Sequence, residues 1–133
     1  MPKGRPVKKA ARKPRGLYGW ITHTDLGSRD PVATKAWCAK VLGWTFGPSF
    51  PTPAGEYHLF AYSDKGGGGI RALEANEVPG SVPFVHIADA RGAFDAALRE
   101  GAEPVHPPER VMEGVTIAQE RAPGGVVIGF SGP

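Results

Sequence analysis

Beyond residue 16 the apolar residues fall in short clusters, and their spacing switches between strand-like and helix-like. "YGWITHTDL" (18–26) is rich in aromatic and β-branched residues and reads as a strand. Asp30 is placed to cap a helix and Pro31 suits its first turn. Ala33, Trp37 and Val41 then recur at i, i+4 and i+8, an apolar stripe at helical period, and Gly43 stands where such a helix would end. "WTFGPSF", "EYHLFAYS" and "GGIRAL" follow as three strands divided by Gly-, Pro- and Lys-containing turns.

The same plan recurs downstream. "VPFVHIA" (82–88) is a strand, Asp89 a helix cap, Phe94, Ala97 and Leu98 a helical stripe, and Gly101 its terminator. "EPVHPP", "VTIAQER" and "GVVIGFS" supply three more strands, the first weakened by its prolines. Asp30 to Gly43 spans thirteen residues and Asp89 to Gly101 twelve; Asp30 to Ile70 spans forty and Asp89 to Ile128 thirty-nine. The spacing predicts an internal duplication: two βαβββ modules, about 17–75 and 81–132, with helices near 31–42 and 90–100.

Charge divides the chain differently. Residues 1–16 hold seven of the sixteen Lys and Arg and no acid, leaving the other 117 residues with nine basic and thirteen acidic side chains, a formal −4. That segment lacks the apolar residues to offset its ordering and is expected to be a disordered tail. Its functional reading is weak, nonspecific contact with nucleic acid. No apolar run reaches the ~20 residues that span a bilayer, and no apolar stretch follows the basic residues as in a secretory signal. The single Cys38 cannot form an intramolecular disulfide, so the expected location is the reducing cytoplasm, without membrane association. Nothing near Cys38 activates its thiol.

"HTDLGSRDPVATKAWCAKVLGW" resembles the opening strand and helix of the vicinal oxygen chelate superfamily, which includes glyoxalase I, bleomycin-resistance proteins and extradiol dioxygenases; "RAPGGVVIGF" is similar to that family's closing hairpin. The resemblance spans about residues 19–131. It implies an α+β fold, a curved mixed sheet with its helices on the convex face and a ligand site on the concave one, in a 17–133 glyoxalase-like domain that dimerises. In metal-dependent members it implies four ligands from the first and last strands of each module. Here those positions read His23, Arg71, Val82 and Gly129. Val and Gly offer no ligand atom and Arg no acceptor, so the expectation is a member without a metal or other cofactor.

Strand alternation then nominates the concave face. Asp25 joins His23, Phe84 and His86 join Val82, and Arg71 and Gly129 complete the set. A register with Leu59 and Ala61 against the helix turns His58, Phe60 and Tyr62 inward. Arg71 serves a bound anion or pairs internally with Asp25 or Glu74. "KGGGGIR" is a flexible hairpin rather than a phosphate cradle, because no helix follows it. Three functions remain open. The first is binding of a small organic molecule, in one reading anionic. The second is a metal-independent lyase or isomerase with His23 or His86 as base and Arg71 on an oxyanion. The third is accessory nucleic-acid binding through the tail.

Overall fold

A computed structural model describes residues 17–133. The basic segment 1–16, with its expected disorder and nucleic-acid contact, lies outside the described residues.

The first half runs β1 (Ile21–Ser28), α1 (Pro31–Trp37) with a π-helical continuation (Cys38–Leu42), β2 (Thr45–Phe46), β3 (Phe50–Thr52), β4 (Gly55–Ser63) and β5 (Gly66–Ala72). The second runs β6 (Gly80–His86), α2 (Ala90–Arg99), β7 (Glu103–Met112), β8 (Val115–Arg121) and β9 (Val127–Gly132). All strands join one mixed, curved sheet in the order β2-β4-β5-β1-β6-β9-β8-β7, with β3 added to β4. Within each half the first and last strands are parallel neighbours, β1 with β5 and β6 with β9, and antiparallel β1–β6 pairing joins the halves. This is the expected α+β pair of βαβββ modules. β3 is an addition, and the proline-bearing β7 is an edge strand whose register shifts repeatedly.

The caps form as their residue types require. Asp30 accepts a hydrogen bond from the Ala33 amide at 3.1 Å and Asp89 from Gly92 at 3.0 Å. Gly43 and Gly101, just beyond the two helices, have φ of 72° and 103°, conformations that favour glycine.

Pairing also fixes which positions correspond between the modules. Asp25 and Phe84 each precede their cap by five residues, and they pair with Gly69 and Gly129. Gly129 is therefore the counterpart of Gly69, and the counterpart of Arg71 is Ser131. This corrects the expected match of Arg71 with Gly129. The second module is longer, not shorter, between cap and final strand, so its equivalent of Ile70 is Phe130.

On the helix side, Cys38, Phe60 and Ile70 are buried, with Leu26, Trp44 and Phe46 packed around them. Trp44 stacks on Phe60 at 4.2 Å. The expected stripe on α1 does not reach this core: Trp37 is 57% exposed and Val41 is also exposed. The sheet meets the other side of the helix, where Thr34 Oγ1 hydrogen-bonds Ser28 Oγ at 2.7 Å and the Lys35 ammonium sits 5.5 Å from the Phe46 ring. In α2 the stripe does turn inward, with Ala90 and Phe94 buried. Among the described residues no helix is long and apolar enough to cross a membrane.

Candidate ligand site

β1 directs His23 and Asp25 to the open face of the sheet, opposite Leu26 and the helices. Three further side chains converge there: Tyr57 from β4, Arg71 from β5 and Glu77 from the β5–β6 connection. They form one hydrogen-bonded chain. Glu77 accepts from both terminal nitrogens of Arg71 at 2.8 and 2.7 Å, a bidentate pair. Arg71 Nε donates to Asp25 Oδ2 at 2.6 Å, Tyr57 Oη donates to Asp25 Oδ1 at 2.9 Å, and His23 Nε2 meets Tyr57 Oη at 2.8 Å.

The charges set each group's protonation. Hydrogen bonding to Glu77, with Asp25 adding to it against partial burial, raises the Arg71 guanidinium pKa further. The Arg71 bond holds Glu77 below the usual carboxylate range. Burial, then the Asp25 charge and hydrogen bond, pushes the Tyr57 hydroxyl far up, so it remains a donor. Burial lowers His23 despite the pull of Asp25, which favours the neutral imidazole at pH 7. Tyr57 has one proton, and Asp25 takes it. His23 must therefore donate Nε2–H to Tyr57, which leaves Nδ1 unprotonated. Nδ1 has no partner among the described residues.

Tyr57 reaches this position because β5 is bare beneath it. A Cβ at Gly69 would lie 2.0 Å from the tyrosine ring. Beside His23 the open face forms a groove of about 570 Å³. Its floor is the glycine run at 66–68, and Leu59, Ala61, Thr45 and Ser63 stand around it. "KGGGGIR" is thus mostly strand: glycine makes the groove's floor and admits the tyrosine.

Several expected site residues lie elsewhere. The β4 register is one residue away from expectation, so Leu59 and Ala61 face the groove; Phe60 also lines it, as expected, but packs in the helix-side core. His58 shares the Phe60 side and is buried with Nδ1 unpartnered. Tyr62 follows the same alternation and leans on Trp44. Core packing of Phe60 against Ile70 and Cys38 decides the register. Asp25 and Arg71 do share a face, but as the closed internal pair, with Glu77 rather than Glu74 as the second carboxylate. The side chains of Arg71 and Asp25 are only 17% and 9% exposed. Of the two expected roles for Arg71, the internal pair with Asp25 is the one the structure holds, and the anion-binding fork is the one corrected. Phe84 packs edge-on against His23 at 5.7 Å and lies where a Gly129 side chain would be. His86 sits further along β6, stacked on Tyr18 at 5.0 Å and not lining the groove.

Sequence reasoning missed Tyr57 and Glu77. The signal for Tyr57 was the glycine run itself, since a strand without side chains needs a large neighbour to cover it. Glu77 lies in a connection whose course no periodicity reveals. Burial raises the Cys38 thiol pKa, in keeping with an unreactive core cysteine.

A metal does not fit these residues. Of the four positions expected from the sequence, His23, Arg71, Val82 and Gly129, only His23 offers a ligand atom, and its Nε2 is engaged by Tyr57. Replacing Gly129 by Ser131, the true counterpart of Arg71, adds only a neutral hydroxyl. The Arg71 charge adjoins Asp25, the nearest carboxylate. Among the described residues no three His, Cys, Asp or Glu side chains gather closely enough to hold an ion.

Among solved structures, the chain is similar to methylmalonyl-CoA epimerase from Mycobacterium tuberculosis, with a TM-score of 0.69, 16% identity, and 94% of this chain and 95% of that one covered. It is similar to a hypothetical protein from Bacillus halodurans, with a TM-score of 0.67, 10% identity and coverage of 84% and 91%. A variant of methylmalonyl-CoA epimerase from Streptomyces coelicolor, in complex with 2-nitronate-propionyl-CoA, gives 0.63, 17%, and 86% and 96%. No protein-family model matches the chain, and no curated protein does. The fold is consistent with that of the vicinal oxygen chelate proteins, and at these identities the likeness is one of fold.

Proposed function

We propose that this chain binds a small organic molecule in the first-module groove beside His23, without a metal at the family's ligand positions. One observation carries the reading: a groove of about 570 Å³ with a side-chain-free floor and an imidazole at its wall. Volumes of this order accommodate drug-sized ligands. The similar epimerase crystallised with an acyl-CoA compound supports small organic ligands as a class suited to this fold. A thermal-shift ligand screen on the wild type and on Ala61→Trp, which fills the groove, tests the proposal. Hits should raise the melting temperature of the wild type by mass action and lose that effect in the variant. Hits that stabilise both proteins equally would place binding elsewhere.

The second reading, turnover as a lyase or isomerase, has its own support in the unprotonated Nδ1 of His23, a proton acceptor at the groove wall. Arg71 has no part in it, because four of its five N–H donors go to Asp25, Glu77 and the Ala72 carbonyl and its charge is paired with both carboxylates. Hits incubated in deuterated water should exchange an acidic C–H at a rate that collapses in His23→Ala. Equal exchange in both proteins removes His23 as the base.

A further inference from the structure

The groove's chemistry narrows its ligand, an inference that rests on the groove being the binding site. None of the residues lining it is Asp, Glu, Lys or Arg. The charges nearest His23, on Asp25 and Arg71, are bound to each other and joined to it only through Tyr57. An ionised ligand would find no opposite charge among the residues lining the groove to offset whatever hydration it gives up on contact. The floor at Gly67 and Gly68 is ladder-paired on both edges, to β1 and to β4, so its peptide groups are already satisfied. Such a floor is flat and offers area rather than hydrogen bonds, which suits a ring lying face down. Leu59 and Ala61 extend that apolar surface.

The polar groups are largely committed. Thr45 Oγ1 donates to the Ala61 carbonyl, and Ser63 Oγ accepts from the Lys65 amide. His23 differs: Tyr57 consumes its Nε2–H and leaves Nδ1 as a bare acceptor.

We propose that the groove takes an uncharged, planar ring compound bearing a hydroxyl or N–H donor, with the ring on the β5 glycines and the donor on His23 Nδ1. Tyr57 is then a positioning residue, selecting donors over acceptors by fixing the histidine tautomer.

Three probes differing in one group decide this at pH 7: 2-naphthol, 2-methoxynaphthalene and 2-naphthoate. Their affinities are read by NMR titration of the β4 and β5 amides, and the tautomer by the His23 ring nitrogen shifts. Naphthol should bind about fivefold more tightly than its methyl ether, the worth of one hydrogen bond, and naphthoate most weakly. In Tyr57→Phe the naphthol-to-ether ratio should fall below about twofold, and the His23 nitrogens should report mixed tautomers. Naphthoate binding as tightly as naphthol, or naphthol no better than its ether, overturns the ligand class while leaving the groove a binding site. An unchanged ratio in a folded Tyr57→Phe overturns the tautomer selection. The wild-type series decides the class without the variant. If no probe moves these amides, the ligand class and the binding site fall together.

Discussion

The two modules share a backbone plan and almost none of its polar chemistry. Where the first has His23 and Asp25 on its opening strand, the second has Val82 and Phe84; where the first has Tyr57 and Arg71, the second has Ile117 and Ser131. Both keep a glycine under an aromatic ring, Gly69 beneath Tyr57 and Gly129 beneath Phe84. The difference teaches that the duplication preserves what closes the sheet, while the open face was free to diverge. One half became an ionic relay beside a groove, the other an apolar surface. On the helix side the contrast reverses: Phe60 fills the first module's core, and its counterpart Glu120 places a carboxyl in the second's.

The largest expected effect tests the relay. Arg71→Ala leaves Asp25 and Glu77 facing each other without their cation, and breaking such a partly buried pair costs about 3–4 kcal/mol. Ser131→Ala at the matching position should cost less than ~0.5 kcal/mol. Urea unfolding of both variants reads the difference. Equal losses would mean that Arg71 contributes no more than a surface pair.

Next come the glycines. Gly129→Ala puts a methyl 2.4 Å from Phe84 ring carbons close to its own Cβ, where little can give, for a loss of about 2 kcal/mol. Gly69→Ala meets the far end of Tyr57, which can swing away. Its stability cost should be smaller, but the His23 tautomer should be released, as seen in the ring nitrogen shifts. A retained tautomer in Gly69→Ala would show that Tyr57 does not set it.

These residues mark how far the sequence was legible. Caps, terminators and strand composition repeat at fixed offsets, so both modules and their helices could be read from local signals alone. The β4 register could not. Each parity of "EYHLFAYS" mixes aromatic with polar residues, and only the tertiary packing of Phe60 selects between them. The α1 stripe misled for a related reason. Its exposed side is more apolar than the Thr34–Lys35–Cys38 side that meets the sheet, so periodicity found a face and named the wrong one. His23, Asp25 and Arg71 share a face as alternation implied. The relay that joins them needed Tyr57 and Glu77, whose roles depend on a bare strand and a connecting loop.

Glu120 supplies a third, pH-dependent difference. The residue is 3% exposed, its Oε1 has no partner among the described residues, and burial pushes its pKa up to about 7. The unfolded carboxyl titrates near 4.5. Between those values the folded state holds a proton that the unfolded state has lost, so stability falls as pH rises from about 4.5 to about 7, then levels. Glu120→Gln should flatten that slope. Glu120→Leu, which mimics the first module's apolar choice, should add about 1–2 kcal/mol at pH 8 and less at pH 5. Chemical denaturation at the two pH values measures it. His23, with its lowered pKa, acts oppositely and loses stability below its ordinary 6.5, so the slope is assigned by the variants rather than by the wild-type curve.

The smallest effect concerns the helices. Trp37 is a large apolar residue on the outer side of α1, whereas Phe94 on α2 is buried. Removing an exposed side chain leaves no cavity and strands no polar partner, so Trp37→Ser should change the stability of the isolated chain by no more than ~0.5 kcal/mol. The stripe it shares with Ala33 and Val41 is nevertheless more apolar than a solvated helix face needs, with all three exposed. Unfolding at several protein concentrations separates the alternatives. A small loss independent of concentration confirms that α1 is held to the sheet by its Thr34–Cys38 side alone. A loss above about 1 kcal/mol that grows with protein concentration would instead show this face covered by a second copy, and would make the two helices alike in burying an apolar stripe, one within the chain and one between chains.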